Sequence, residues 1–201
     1  MLNVYNEVPE GFCFAKAVDL EALLGGPSLI EIKGRREPPL FVSILLHGNE
    51  TTGLDAIQLI LNKYRQRELP RGILLFVGNV AAARLGVRKL PGHPDMNRIW
   101  PGTELPDSAE QHLAAEVVAR ARAHGCFATI DIHNNTGLNP HYGCVNKLDS
   151  PYLQLASLFS RTVVYFTRPH GVLSLAMAQL CPATTIECGQ AGSTGAAEHA
   201  G

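Results

Sequence analysis

The sequence predicts an α/β fold: a single domain built on a central sheet with helices on both faces. Three observations lead there. Short apolar runs alternate along the chain with stretches of helical periodicity. One run, Phe41 to Leu46, is apolar almost without interruption, as a strand buried on both faces requires. A chain of 201 residues with 46% hydrophobic content can bury one sizeable core, and no internal repeat or low-complexity segment divides it.

The elements follow in order. Ser28 to Ile32 and Phe41 to Leu46 read as two strands joined by the polar turn Lys33-Gly34-Arg35-Arg36. Leu54, Ile57, Leu61 and Tyr64 recur at helical spacing, which predicts a helix from about Thr52 that Pro70 stops. Gly72 to Gly78 is a further buried strand. Residues 79–106 then hold four prolines and little apolar periodicity, and long loops of that kind in compact domains usually serve a function. Ser108 with Gln111 resembles a capping box opening a helix through Arg122, with Ala114, Val117, Val118 and Ala121 on one face. A strand at Phe127 to Ile132, a polar loop from Asn134 to Ser150 and a helix from about Pro151 come next. Short strands at Thr162 to Phe166 and Ala183 to Ile186 complete the pattern. Gly192 to Glu198 resembles the cap and first turn of another helix, so a domain over residues 1–201 is expected to be truncated at its C-terminus.

Composition excludes several function classes. The net charge is −1 and no extended basic run occurs, which leaves no general attraction to nucleic acid or anionic membrane. No stretch approaches the roughly 18 consecutive apolar residues of a membrane span. The first twenty residues contain Glu7, Glu10 and Asp19 and no signal-peptide core, so a cytoplasmic protein is expected. The five cysteines are odd in number and lack CxxC spacing, which fits reduced bystander thiols.

Two strand ends carry the chemistry. Phe41 to Leu46 runs into His47-Gly48-Asn49-Glu50, an imidazole and a carboxylate in the turn between a buried strand and a helix, where α/β sites form. A catalytic metal takes three protein ligands and one open position, and this turn offers two of them, although alone it also suits a helix-capping surface turn. His133 ends the strand FATIDIH and precedes another polar loop. Alone it reads more readily as a hydrogen-bonded loop histidine. Asp131 shares its face and is placed either to orient a ligand or to anchor the loop.

HGNETTG, DMNR, DIHNNTG and IECG, in that order, resemble the zinc carboxypeptidase superfamily, and within it the succinylglutamate desuccinylase/aspartoacylase branch. The motifs span residues 41 to 190. The resemblance implies a mixed, mostly parallel sheet and one Zn2+ per chain, bound by His47, Glu50 and His133. It implies Glu187, in Ile186-Glu187-Cys188-Gly189, as the general base that activates a metal-bound water. Asn97 and Arg98 match the pair that binds the substrate carboxylate, and Asp95 the acid behind the first histidine. Arg88, nine residues after Asn79, matches the arginine that polarises the scissile carbonyl, with Arg84 as the alternative.

The implied reaction is hydrolysis of an amide bond in an N-acyl amino acid. A carboxypeptidase acting on short peptides and a zinc-binding module of weak or no catalysis are the alternatives. The implied partner is a small molecule or short peptide with a free carboxylate, and assembly into homo-oligomers stays open. The chain departs from the aspartoacylase pattern ahead of the catalytic glutamate. Residues 169–181 hold neither the tyrosine nor the arginine of that pocket, and Tyr165 and Arg168 are the nearest of their kind. His93, His112 and His124 read as exposed or capping residues, and Trp100 as a residue packing the long loop on the core. His141 and Tyr142 are further pocket candidates.

Overall fold

In the computed structural model, which describes residues 1–192 and 195–201, the apolar runs line up as eight strands of one sheet. The elements in chain order are β1 (Asn3–Tyr5), α1 (Leu20–Leu24), β2 (Ser28–Ile32), β3 (Leu40–Ile44), α2 (Thr52–Lys63), β4 (Ile73–Val77) and α3 (Val80–Arg84). They continue with α4 (Ala109–His124), β5 (Ala128–Asn135), β6 (Tyr142–Val145), α5 (Ser150–Phe159), β7 (Val163–Tyr165), α6 (Leu173–Met177), β8 (Ala183–Gln190) and α7 (Ala196–Ala200). The strand order is β1-β2-β4-β3-β5-β8-β6-β7. Only β2 with β4 and β6 with β8 run antiparallel, so the sheet is mixed and mostly parallel.

The central strands are buried on both faces, and neighbouring residues feed different cores. Phe41 belongs to the apolar cluster with Ala114, Val117 and Ala121 of α4, while Val42 belongs to the cluster with Leu54, Ile57 and Leu61 of α2. Helices therefore cover both faces, as the continuous apolar runs predict. Trp100 is fully buried and meets Phe76 edge-on at 5.7 Å between ring centroids, pinning the long loop to the sheet. Ser108 caps α4 by accepting a hydrogen bond from the Gln111 amide at 3.3 Å.

The structure corrects several expectations. β3 stops at Ile44 rather than Leu46 because Leu45 adopts a left-handed conformation, φ 56°, that a strand cannot contain. α2 ends at Lys63, well before Pro70, because Arg65 to Glu68 offer nothing to bury. β6 lies inside the expected polar loop. α5 packs on it so closely that a Cβ at Gly143 would stand 3.0 Å from the Ala156 Cβ. β5 and β8 reach Asn135 and Gln190, beyond their expected ends, because they pair with each other there. The expected helix cap at Ser193 and Thr194 lies outside the described residues, and Ala196–Ala200 is helical. Among the described residues no helix is long and apolar enough to cross a membrane.

Candidate metal centre and its cavity

The site forms at the C-terminal end of three adjacent parallel strands, beyond the end of β3 and on the last residues of β5 and β8. The left-handed Leu45 turns the chain out of β3 and into His47-Gly48-Asn49-Glu50. The turn is held from outside, since Asn79 donates its amide to the Leu45 carbonyl at 2.6 Å and Gly48 donates to that of Arg88 at 3.2 Å. Gly48 lies against α3, where a Cβ would overlap the backbone of Ala82 and Ala83. Only glycine fits this approach, which gives the turn's sequence a steric reason.

His47, Glu50 and His133 converge there, and one ligand atom from each lies within 4.8 Å of the others. All three are buried. His47 Nδ1 is 2.8 Å from Glu50 Oε1, and His133 Nδ1 is 2.8 Å from Glu50 Oε2. The far nitrogen of each ring meets a second carboxylate, His47 Nε2 with Asp95 at 3.0 Å and His133 Nε2 with Asp131 at 3.0 Å. Both rings therefore turn Nδ1 inward and brace Nε2 on an acid, the pattern that fixes imidazole ligands around a metal. Two imidazoles and a carboxylate are a donor set that fits a first-row divalent cation with a position left open.

Asn134 ties the centre together. Its amide donates to Glu50 Oε2 at 3.0 Å, and its side-chain nitrogen donates to the Thr52 hydroxyl at 2.8 Å and to the Gly189 carbonyl at 3.1 Å. Glu187 stands on β8 directly across from His133 on β5. A cavity of about 260 Å³ opens over the cluster, lined by Arg88, Asn97, Arg98 and Glu187 together with the three possible ligands. Arg88 holds Asp95 through Nε at 3.1 Å and Nη2 at 3.0 Å. Arg84 lies elsewhere, paired with Glu21 on α1. Asn97 accepts from the Leu173 amide at 3.0 Å, fastening α6 to the site.

The charges are interlocked. Burial alone would raise the Glu50 carboxyl, but hydrogen bonds from His133 and His47 outweigh it and hold the group well below the carboxylate range. Asp95 is lowered in the same way, with burial opposed by His47, the Asn97 amide and Arg88. Burial works against a charged His133 too, yet Asp131 and Glu50 raise its pKa well above the ordinary value. Glu187 is raised, chiefly by burial, against the pull of His133.

A model of the succinylglutamate desuccinylase/aspartoacylase catalytic domain matches residues 37–200. The chain belongs to that family. Succinylglutamate desuccinylases of Burkholderia lata and Burkholderia thailandensis are each 31% identical to it, over 57% and 61% of this chain and 34% and 39% of theirs. The chain thus spans little more than a third of the length of these relatives. A succinylglutamate desuccinylase structure from Chromobacterium violaceum superposes with a TM-score of 0.68 at 23% identity, covering 84% of this chain and 59% of that one. The product-bound ectoine utilization protein of Ruegeria pomeroyi gives 0.66 at 18% identity, covering 86% and 56%. These two likenesses establish the shared fold.

Several residues of the cluster and its cavity were not anticipated from the sequence. Asn134 sits inside the DIHNN motif, and that adjacency to His133 was the available signal. Cys144, Phe166, Pro169, Val172 and Thr185 also line the cavity, and nothing in their local sequence marks them. The residues offered in place of the aspartoacylase tyrosine and arginine, Tyr165 and Arg168, are exposed and do not line it. His141 stacks on Phe159 and meets His199 edge-on instead of reaching the cavity, and Tyr142 donates to Asn135 at 3.1 Å. His93 pairs with Glu110, His112 with Asp107 and His124 with Glu31, all at the surface.

Proposed function

We propose that this chain is the catalytic domain of a zinc-dependent hydrolase that cleaves the amide bond of an N-acyl amino acid. The observation that carries the reading is the pairing of Glu187 with His133 across β5 and β8, which sets an acid beside the His47–Glu50–His133 cluster in one small cavity. His47, Glu50 and His133 would hold one zinc ion. When bound, such an ion supplies Lewis acidity and makes a coordinated water more acidic.

Glu187 accepts the proton of the attacking water and returns it to the leaving amine, and its raised pKa suits a group that does both. Arg88 supplies positive charge where the carbonyl oxygen becomes negative. Arg98 presents a planar fork to the substrate carboxylate, and Asn97 sits beside it in the wall. Asp95 orients His47. The cavity lies below the usual range of about 300–1,000 Å³ for ligand sites, which favours an acyl amino acid over a peptide. The five free thiols support a reducing, cytoplasmic setting.

Elemental analysis of wild type and His133→Ala tests the metal. About one zinc per chain, lost in the variant, is expected. Glu187→Gln should keep the metal and lose most turnover of N-acyl amino acids. Full turnover in that variant would remove Glu187 from the mechanism, and a wild type that takes up no zinc would end the reading.

A further inference from the structure

Among the described residues that line the cavity, one cation is uncommitted. Arg88 is engaged with Asp95 on two nitrogens, and its Nη1 is 3.4 Å from Glu50. Arg98 makes no ion pair among the described residues, and its Nη1 donates to the Asn97 carbonyl at 2.6 Å. Its remaining N–H groups are available for a carboxylate. Beyond the metal cluster and the adjoining polar segment 134–136, the wall is uncharged: Cys144, Phe166, Pro169, Val172 and Thr185. Thr185 precedes Glu187 by two residues on the same face of β8, and Asp131 stands opposite it in register on β5.

We infer that the substrate of this site carries a single carboxylate, held by Arg98, and an uncharged group against the Cys144–Phe166–Val172–Thr185 wall. N-acylated amino acids with neutral side chains are then preferred over N-acyl dicarboxylic amino acids. The physical reason is desolvation. A second carboxylate placed on this wall would give up its hydration without meeting a cation, and would share the cavity with Glu187 instead. The substrate preference rests on the hydrolase reading above, but it fails separately from it.

The test is a panel of N-acetyl-leucine, N-acetyl-aspartate and N-succinyl-glutamate offered to the zinc-loaded protein. The expected kcat/KM for N-acetyl-leucine exceeds that of either acidic compound by about tenfold or more. Turnover of an acidic compound equal to or above that of N-acetyl-leucine would overturn the inference and leave the hydrolase reading standing. Turnover of none of them would sink the hydrolase reading, and calorimetric titration of the same compounds then decides the inference. N-acetyl-leucine must bind about tenfold more tightly than the others, and any other order, or no binding, overturns it. Phe166→Arg places a cation on the neutral wall at a half-buried position. In the folded variant the preference for the neutral compound should shrink about tenfold, and an unchanged ratio would count against the assignment. Should the variant not fold, the wild-type panel still decides.

Discussion

Replacing Gly48 by alanine tests whether the metal turn is held by steric fit against α3. The new Cβ would stand 2.8 Å from the Ala82 Cβ, and closer still to backbone atoms of Ala82 and Ala83. Carbon atoms rest at about 3.5–4.0 Å, so α3 or the turn must retreat by roughly 0.7 Å or more. The atoms in the way are largely backbone, and no side-chain rotation relieves them. Overpacking of this kind costs about 1–3 kcal/mol, which in a domain of this size lowers the melting temperature by roughly 2–12 °C. The retreat also reaches the metal centre, because Gly48 is hydrogen-bonded to the Arg88 carbonyl and Arg88 holds Asp95 against His47. Zinc affinity should therefore fall together with stability. Thermal melts followed by circular dichroism, and a competition titration with a chromophoric chelator, read the two effects. Gly137→Ala is the control, since its Cβ would meet only the Asn139 side chain at 3.6 Å, and it should change neither. A Gly48→Ala protein with wild-type melting and wild-type zinc affinity would refute the steric argument.

Other outcomes follow from the same geometry. Asp131→Asn keeps the shape behind His133 but removes the charge, so zinc affinity should drop about 10–100-fold in the same chelator assay; an unchanged affinity would show that Asp131 does not tune its ligand. Trp100 is fully buried, so Trp100→Ala should lower unfolding free energy by about 3–5 kcal/mol in urea titrations, and a loss below 1 kcal/mol would mean the loop is not anchored there. Burial pushes the thiols of Cys126, Cys144 and Cys188 up to about 12. A raised thiol pKa leaves the unreactive protonated form dominant below it, so at pH 8 these three should resist alkylation in the native protein and react only after denaturation. Rapid native labelling of all five cysteines, read by mass spectrometry, would contradict that.

Much of this candidate site is legible in the sequence because its residues sit near the ends of runs that read as strands. His47, His133 and Glu187 each close such a run, and helices on both faces follow from the uninterrupted burial of Phe41 to Ile44. The residues between the motifs were less legible. Leu45 carries an ordinary strand-forming side chain, and only the tertiary demand to turn out of the sheet puts it at positive φ. β6 is four residues long and begins at Tyr142-Gly143, so its pairing depends on β8 and α5 rather than on any pattern of its own. The cavity wall was hidden for a related reason. Cys144, Phe166, Val172 and Thr185 are brought together by the sheet order, and sequence distance carries no trace of that order.

The register of β5 against β8 has a consequence for how such a chain can change. His133 and Glu187 face each other as one rung of a parallel ladder, while the more than forty residues joining the two strands pass through β6, α5, β7 and α6 on the far edge of the sheet and beneath it. Deletions or insertions in that excursion can alter the cavity wall while the rung stays where it is. A single residue gained or lost within either strand, by contrast, would turn one of the two side chains to the opposite face. Variation in length is therefore tolerated along the cavity wall and disruptive within the rung, so under the proposed function the paired imidazole and carboxyl can stay constant while the wall that would meet the substrate side chain varies.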